Sequence, residues 1–180
     1  MELSTTYISG LLIIKPSVFG DERGHFFESY RQDALFAAGI ELDFIQDNQS
    51  LSGKGILRGL HFQKNPYAQG KLVRVIKGAV LDVVVDIRRN SKTYGQHFSI
   101  ELNEEDKTMF YVPPGFAHGF VTQQEGTIFA YKCTNYYHKE SEGSILWNSS
   151  SLGIDWGVSE PIISAKDAEA EDFLSFESPF

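Results

Sequence analysis

Apolar and polar positions alternate in short runs along most of this chain, and Gly or Pro interrupts nearly every run. That period-2 pattern predicts strands rather than helices. Residues 7–15, YISGLLIIK, are β-branched and apolar and stop at Pro16, which predicts a first strand. In residues 18–31, Gly20-Asp21 and Arg23-Gly24 read as turns before a short strand carrying Phe26, Phe27 and Glu28. Residues 31–38, RQDALFAA, form the best helical stretch and end at Gly39. Residues 44–50, FIQDNQS, predict a short strand running into a polar loop, and Gly53 and Gly55 turn the chain into ILRGLHFQ. The segment LVRVIKGAVLDVVVDIRR holds two β-branched runs that meet at Lys77-Gly78, as in a strand, a tight turn and a second strand of a hairpin. Residues 80–88 are apolar on both faces except at Asp82 and Asp86, the pattern of a strand covered on both sides. HFSIEL, the run before Pro113-Pro114-Gly115, FAHGFVT and residues 127–137 complete the alternating set, and the acidic AKDAEAED is weakly helical. Many short strands, Gly and Pro turns and little helix predict an all-β antiparallel fold. Among closed β architectures a cupin-type jelly-roll barrel with short peripheral helices is favoured, since such barrels hold a ligand among inward polar side chains.

Composition narrows the possibilities. A chain of 180 residues fits one domain, 1–180, long enough to bury a sizeable core, and 14 Phe and 8 Tyr supply its bulk. The net charge of -8 argues against nucleic acid as a partner, because phosphate backbones need a basic face. It does not exclude a small anionic ligand, for which a few local cations suffice. Cys133 is the single cysteine, which rules out an internal disulfide and a Cys-based zinc cluster and suits a reducing compartment. The start, MELSTTYISG, lacks the basic and apolar regions of a signal peptide, and no run is long enough to cross a bilayer. The expectation is a cytoplasmic protein with no membrane partner.

Candidate chemistry concentrates in Gly55–Lys71, GILRGLHFQKNPYAQGK, where Arg58, His61, Gln63 and Lys71 fall together. On a regular strand His61 and Gln63 share one face and Arg58 lies on the other, unless a bulge at Gly59 re-aims it. Two histidines, His61 and His118, invite a metal reading, but Gln63 stands where a second His of a His-x-His pair belongs. Lys71 stands near the position of the carboxylate and would repel a divalent cation, so no metal is expected and His61 is free for acid–base work. A carboxylate is needed to orient such a base, and Asp82, Asp86 and Asp167 are all candidates. Lys71 and His118 can stabilise a developing enolate or a substrate oxygen. Tyr131 can donate a proton, Phe19, Phe27 and Tyr137 can stack on a flat ring, and Arg23 and Arg58 can hold phosphate.

The motifs FGDERGHFFES, QDNQS, ILRGLHFQ, QGKLVRVIKG, VDIRRNSKTYGQ, PPGFAHGF, YKCTNYY, EGSILW and ISAKD occur in one order. In this the chain resembles the dTDP-4-dehydrorhamnose 3,5-epimerases from about residue 10 to about residue 170. The resemblance implies a metal-free and cofactor-free cupin jelly roll, a homodimer with exchanged N-terminal strands, and a dTDP-4-keto-deoxysugar substrate. It further implies His61 as proton acceptor, Asp167 as its orienting carboxylate, Tyr131 as proton donor and Lys71 as the enolate stabiliser. Arg23, Phe27, Glu28, Gln46, Asn48, Arg58, His118, Glu142 and Lys166 would line the nucleotide-sugar site, with Phe19 and Tyr137 against the thymine. No role attaches to the residues after Ala168. Relatives with the same motifs invert one centre only, so a single-centre epimerase is the nearest alternative. A metal-dependent cupin enzyme and a non-catalytic sugar-binding module are more distant ones.

Overall fold

A computed structural model describes residues 1–180. In chain order the elements are β1 (Glu2–Thr5), β2 (Leu12–Lys15), β3 (Val18–Asp21), β4 (Gly24–Phe27), α1 (Gln32–Ala37), β5 (Gln46–Ser52), β6 (Leu57–Gln63) and β7 (Lys71–Lys77). They continue with β8 (Ala79–Asp86), β9 (His97–Asn103), β10 (Met109–Val112), β11 (Phe116–Thr122), β12 (Thr127–Cys133), a 3₁₀ turn at Lys139–Ser141, β13 (Glu142–Ser144) and α2 (Ala165–Ala168). The fold is all-β, as the alternating pattern predicts. A six-stranded sheet in the order β1-β2-β10-β7-β12-β5 packs against a five-stranded sheet in the order β13-β6-β11-β8-β9, and β3-β4 stands apart as a hairpin. All strand pairs are antiparallel.

Three apolar clusters follow from the pleat. Val73, Val75, Phe110 and Phe129 from one sheet meet Val80, Val84, Leu102, Phe116 and Phe120 from the other to form the core between the sheets. The opposite face of the five-stranded sheet carries Leu57, Leu60, Phe62, Val83 and Val85, which the C-terminal segment covers with Leu152, Trp156, Phe173, Phe176 and Phe180. The helix α1 places Leu35 on Ile14, Leu72, Met109 and Tyr111 on the far face of the six-stranded sheet. β8 is therefore covered on both sides, and seven of its eight residues are buried, as its apolar residues on both faces predict.

The structure corrects several local expectations. β7 and β8 form as strands but do not pair with each other: β7 bonds β10 and β12, while β8 bonds β11 and β9. The turn at Gly78 carries the chain from one sheet to the other instead of closing a hairpin. It requires glycine, since φ is +82° and a Cβ would meet Thr127 Oγ1 at 2.4 Å. The first strand is shorter than residues 7–15, because Gly10 has φ +100° and only Leu12–Lys15 enter the sheet. The strand read over residues 44–50 forms with shifted bounds: β5 runs from Gln46 through Ser52, with Gln46, Asn48, Ser50 and Ser52 on its less exposed face. The tail after Ala168 is structural, with Phe62 edge-on to Phe176 and Phe180 at 5.5 and 6.2 Å between ring centroids. No helix is long and apolar enough to cross a membrane.

Candidate active site

One irregularity builds the site. Strands β6 and β11 pair His61 with His118 and Arg58 with Phe120, so Gly59 and Leu60 oppose the single residue Gly119. The extra residue is a β-bulge, and it turns Arg58 onto the same face as His61 while Leu57 and Leu60 both point into the outer core. Only glycine fits at this crossing. Gly59 has φ +139°, and a Cβ there would lie 2.4 Å from the Gly119 Cα.

On the inner face of the bulge the two sheets enclose a cavity of about 560 Å³, within the usual range for ligand pockets. Arg58 and His61 from β6 and His118 from β11 lie on one wall, and Asn48, Lys71 and Tyr131 lie on the other. The segment Ile162–Asp167 closes one side with Lys166 and Asp167. An adjoining hollow of about 290 Å³ shares Asn48, His61, Lys71 and Tyr131 and adds Gln46, Gln69, Tyr137 and Glu142.

His61 Nε2 lies 2.6 Å from Asp167 Oδ1, with the His61 side chain 30% exposed and the Asp167 side chain 4% exposed. Burial pushes the Asp167 carboxyl up, but the hydrogen bond and charge of His61, aided by Ser164 and the Gly59 N–H, outweigh it and hold the group below the ordinary carboxylate range. Asp167 is positioned by Ser164, the N-cap of α2, whose Oγ accepts the Asp167 N–H at 3.1 Å. The Ser164-Ala165-Lys166-Asp167 spacing is that of a capping motif, a sequence signal that singles out Asp167 among the three aspartates. Across the register, His118 Nε2 sits 2.8 and 3.0 Å from the two oxygens of the fully buried Asp82.

Burial is the main cause that raises the Tyr131 phenol, so it stays protonated at neutral pH. Burial also lowers the Lys71 ammonium, partly offset by attraction from Cys133, Asp82 and Glu142. Its Nζ lies 5.9 Å from the Tyr131 ring centroid. Arg58 donates to Ser52 Oγ at 3.2 Å and faces the same space, so positive groups gather locally in an acidic protein. Lys166 pairs with Glu142 at 2.6 Å, and Tyr137 donates to the same carboxylate at 2.8 Å.

The residues expected on the site therefore fall into three places. His61, Lys71, Tyr131, Asp167, Asn48, Arg58, His118 and Lys166 meet in the main cavity, and Gln46, Tyr137 and Glu142 in the hollow beside it. Phe19, Arg23 and Phe27 lie on the β3-β4 hairpin and Glu28 just beyond it, none of them lining either space. Gln63 shares the inner face of β6, yet its amide bonds main-chain groups and is not free for a ligand. The chain forms no group of three or more His, Cys, Asp or Glu side chains arranged to hold a metal ion.

Comparison with known proteins points in one direction. The family model described as dTDP-4-dehydrorhamnose 3,5-epimerase matches residues 5–175. A protein of that name from Salmonella typhimurium is 54% identical over 92% of this chain and 91% of its own length. The crystal structure of a dTDP-6-deoxy-D-glucose-3,5-epimerase from Legionella pneumophila, in complex with dTDP-4-keto-L-rhamnose, superposes with a TM-score of 0.94 at 47% identity, covering 98% of this chain and 94% of that one. A 3'-monoepimerase from Streptomyces bikiniensis, in complex with dTDP-quinovose, has a TM-score of 0.89 at 30% identity, covering 94% of this chain and 87% of that one.

Proposed function

Given that the chain belongs to the dTDP-4-dehydrorhamnose 3,5-epimerase family, we propose that it inverts C3 and C5 of dTDP-4-dehydro-6-deoxy-glucose to give dTDP-4-dehydro-L-rhamnose. The observation that carries this reading is the placement of an imidazole–carboxylate pair and a protonated phenol on opposite walls of one cavity. The C4 ketone acidifies the hydrogens on C3 and C5. His61 takes one of them, and Asp167 fixes the ring and stabilises the imidazolium that forms. Lys71 meets the charge that develops on the C4 oxygen, and Tyr131 returns a proton from the other face, which inverts the carbon. Exchange with solvent takes the proton from His61 and returns one to Tyr131, and a second presentation of the ring repeats the steps at the other carbon. Every step is a proton transfer among side chains, substrate and solvent, with no cofactor or metal taking part in the proposed sequence.

Arg58, His118, Asn48, Gln46, Glu142 and Lys166 are the proposed contacts to the nucleotide sugar, with Tyr137 against the base. Phe19 and Phe26 are 66% and 67% exposed on the β3-β4 hairpin. We assign that hairpin to a homodimer, in which Phe19, Arg23, Phe27 and Glu28 of one protomer complete the cavity of its partner. The lone thiol, Cys133, is compatible with a cytoplasmic setting.

A single-centre epimerase is the second reading, favoured by the likeness to the Streptomyces bikiniensis 3'-monoepimerase. Incubation of the 4-keto sugar nucleotide in deuterated water, followed by NMR, separates the two. Deuterium at both C3 and C5 is expected; label at one carbon supports the narrower enzyme, and no label at either overturns the reading.

A further inference from the structure

Gln63 is 5% exposed and spends its whole amide on the main chain. Its Nε2 donates to the carbonyls of Tyr67 at 2.7 Å and Tyr136 at 3.1 Å, and its Oε1 accepts the His138 N–H at 2.7 Å. The two carbonyls can take only N–H donors, so the amide has one workable orientation. Two of these bonds fall on the residues either side of Tyr137. The Tyr137 N–H itself donates to Gln46 Oε1 at 2.8 Å, so three consecutive residues are tied to two glutamines. The same loop is stitched to residues 64–70 by Gln69 Nε2 donating to the Asn135 carbonyl at 2.8 Å and by Asn135 Nδ2 donating to the Pro66 carbonyl at 3.1 Å. Tyr137 is nevertheless 55% exposed, with its ring on the edge of the smaller hollow. A large flat ring on a pinned backbone, open on one side, is a platform whose ordering cost has been met before a ligand arrives.

We propose that Gln63 is a positioning residue for the base end of the nucleotide sugar: it holds Tyr137 as a rigid stacking surface. The inference rests on the nucleotide-sugar reading given above. His61 and Gln63 are alternate residues on one strand face, so the strand that carries the base also carries this amide. Gln63 thereby acts on nucleotide affinity and leaves the proton transfer alone.

The test is the affinity for dTDP by calorimetry, together with kcat and KM, for the full chain and for Gln63→Leu, Tyr137→Ala and the double variant. Gln63→Leu is expected to weaken dTDP about 10-fold and raise KM in step, with kcat at saturation within about 3-fold of the unaltered protein. The double variant is expected to bind no more weakly than Tyr137→Ala alone, because the two changes remove one platform. Unchanged dTDP affinity in Gln63→Leu, losses that multiply in the double variant, or a fall in kcat with KM unmoved would each overturn the inference. Gln63→Glu keeps the volume and puts a carboxylate against two carbonyls, so it gives the same KM-against-kcat split if the leucine variant folds poorly. Failure of the unaltered protein to bind dTDP sinks the nucleotide reading instead.

Discussion

Two histidine–carboxylate pairs face the cavity from neighbouring strands, and their surroundings separate them. His61 and His118 are direct cross-strand partners, and the Nε2 of each ring is bonded to an aspartate. The His61 side chain is 30% exposed, and its carboxylate arrives from α2, 106 residues further along the chain. The His118 side chain is only 6% exposed, and its carboxylate sits at the fully buried Asp82 on the adjacent β8. The same two residue types thus yield one pair open to the cavity and one pair enclosed in its wall. What separates them is where each carboxylate comes from, the closing segment 162–167 or the adjacent β8, not the identity of the side chains.

The sharpest way to break that distinction is His61→Ala. It is expected to remove solvent-proton exchange at both sugar carbons, lowering kcat by about 10²–10⁴-fold, with the circular-dichroism spectrum of the folded chain retained. Turnover at the unaltered rate would end the assignment of the base.

Next in size is Asp167→Asn, which keeps the shape but takes the charge from the imidazolium; a loss of about 10²-fold or more in kcat is expected from steady-state kinetics. The pH dependence has a defined sign. The Asp167 carboxyl lies below its ordinary value in the folded chain, so the stability it contributes is present above the ordinary carboxylate range and is lost as pH falls through the depressed value. Acid melts of the two proteins should therefore differ most above that range and converge below it. A constant gap at every pH would show that the pairing with His61 does not set the shift.

The smallest effect on chemistry is expected from Asp82→Asn. It takes the charge and one of the two acceptor oxygens from the buried His118, which should cost about 1–3 kcal/mol in thermal unfolding while kcat falls less than about 10-fold. A collapse of kcat equal to that of Asp167→Asn would mean that the two pairs are equivalent and that burial is the wrong criterion.

The strands that bury one face could be read from alternation alone, because a period of two leaves a strong mark where one side is apolar. The places that escaped such reading share a cause: their partners come from far away in sequence. Lys77-Gly78 looks like a hairpin turn locally, but each flanking strand finds better neighbours in a different sheet. β5 reads as strand only to Ser50 and as loop beyond it because its inward residues, Gln46, Asn48 and Ser50, are polar, and they are polar because they face a cavity instead of the core. The tail seems polar overall, yet Phe173, Phe176 and Phe180 fill the outer core at intervals that suit no regular period. At the site, His61 and Lys71 stood out by residue type, whereas Asp167 could not be told from Asp82 or Asp86 by type, since all three are buried and bonded.

The single residue by which β6 exceeds β11 at Gly59-Leu60 makes spacing here as consequential as chemistry. Deleting one residue between Arg58 and His61 would restore an unbroken ladder and rotate the upstream guanidinium toward the packed side, with every functional group still encoded. A conservative exchange of either side chain would be the milder injury.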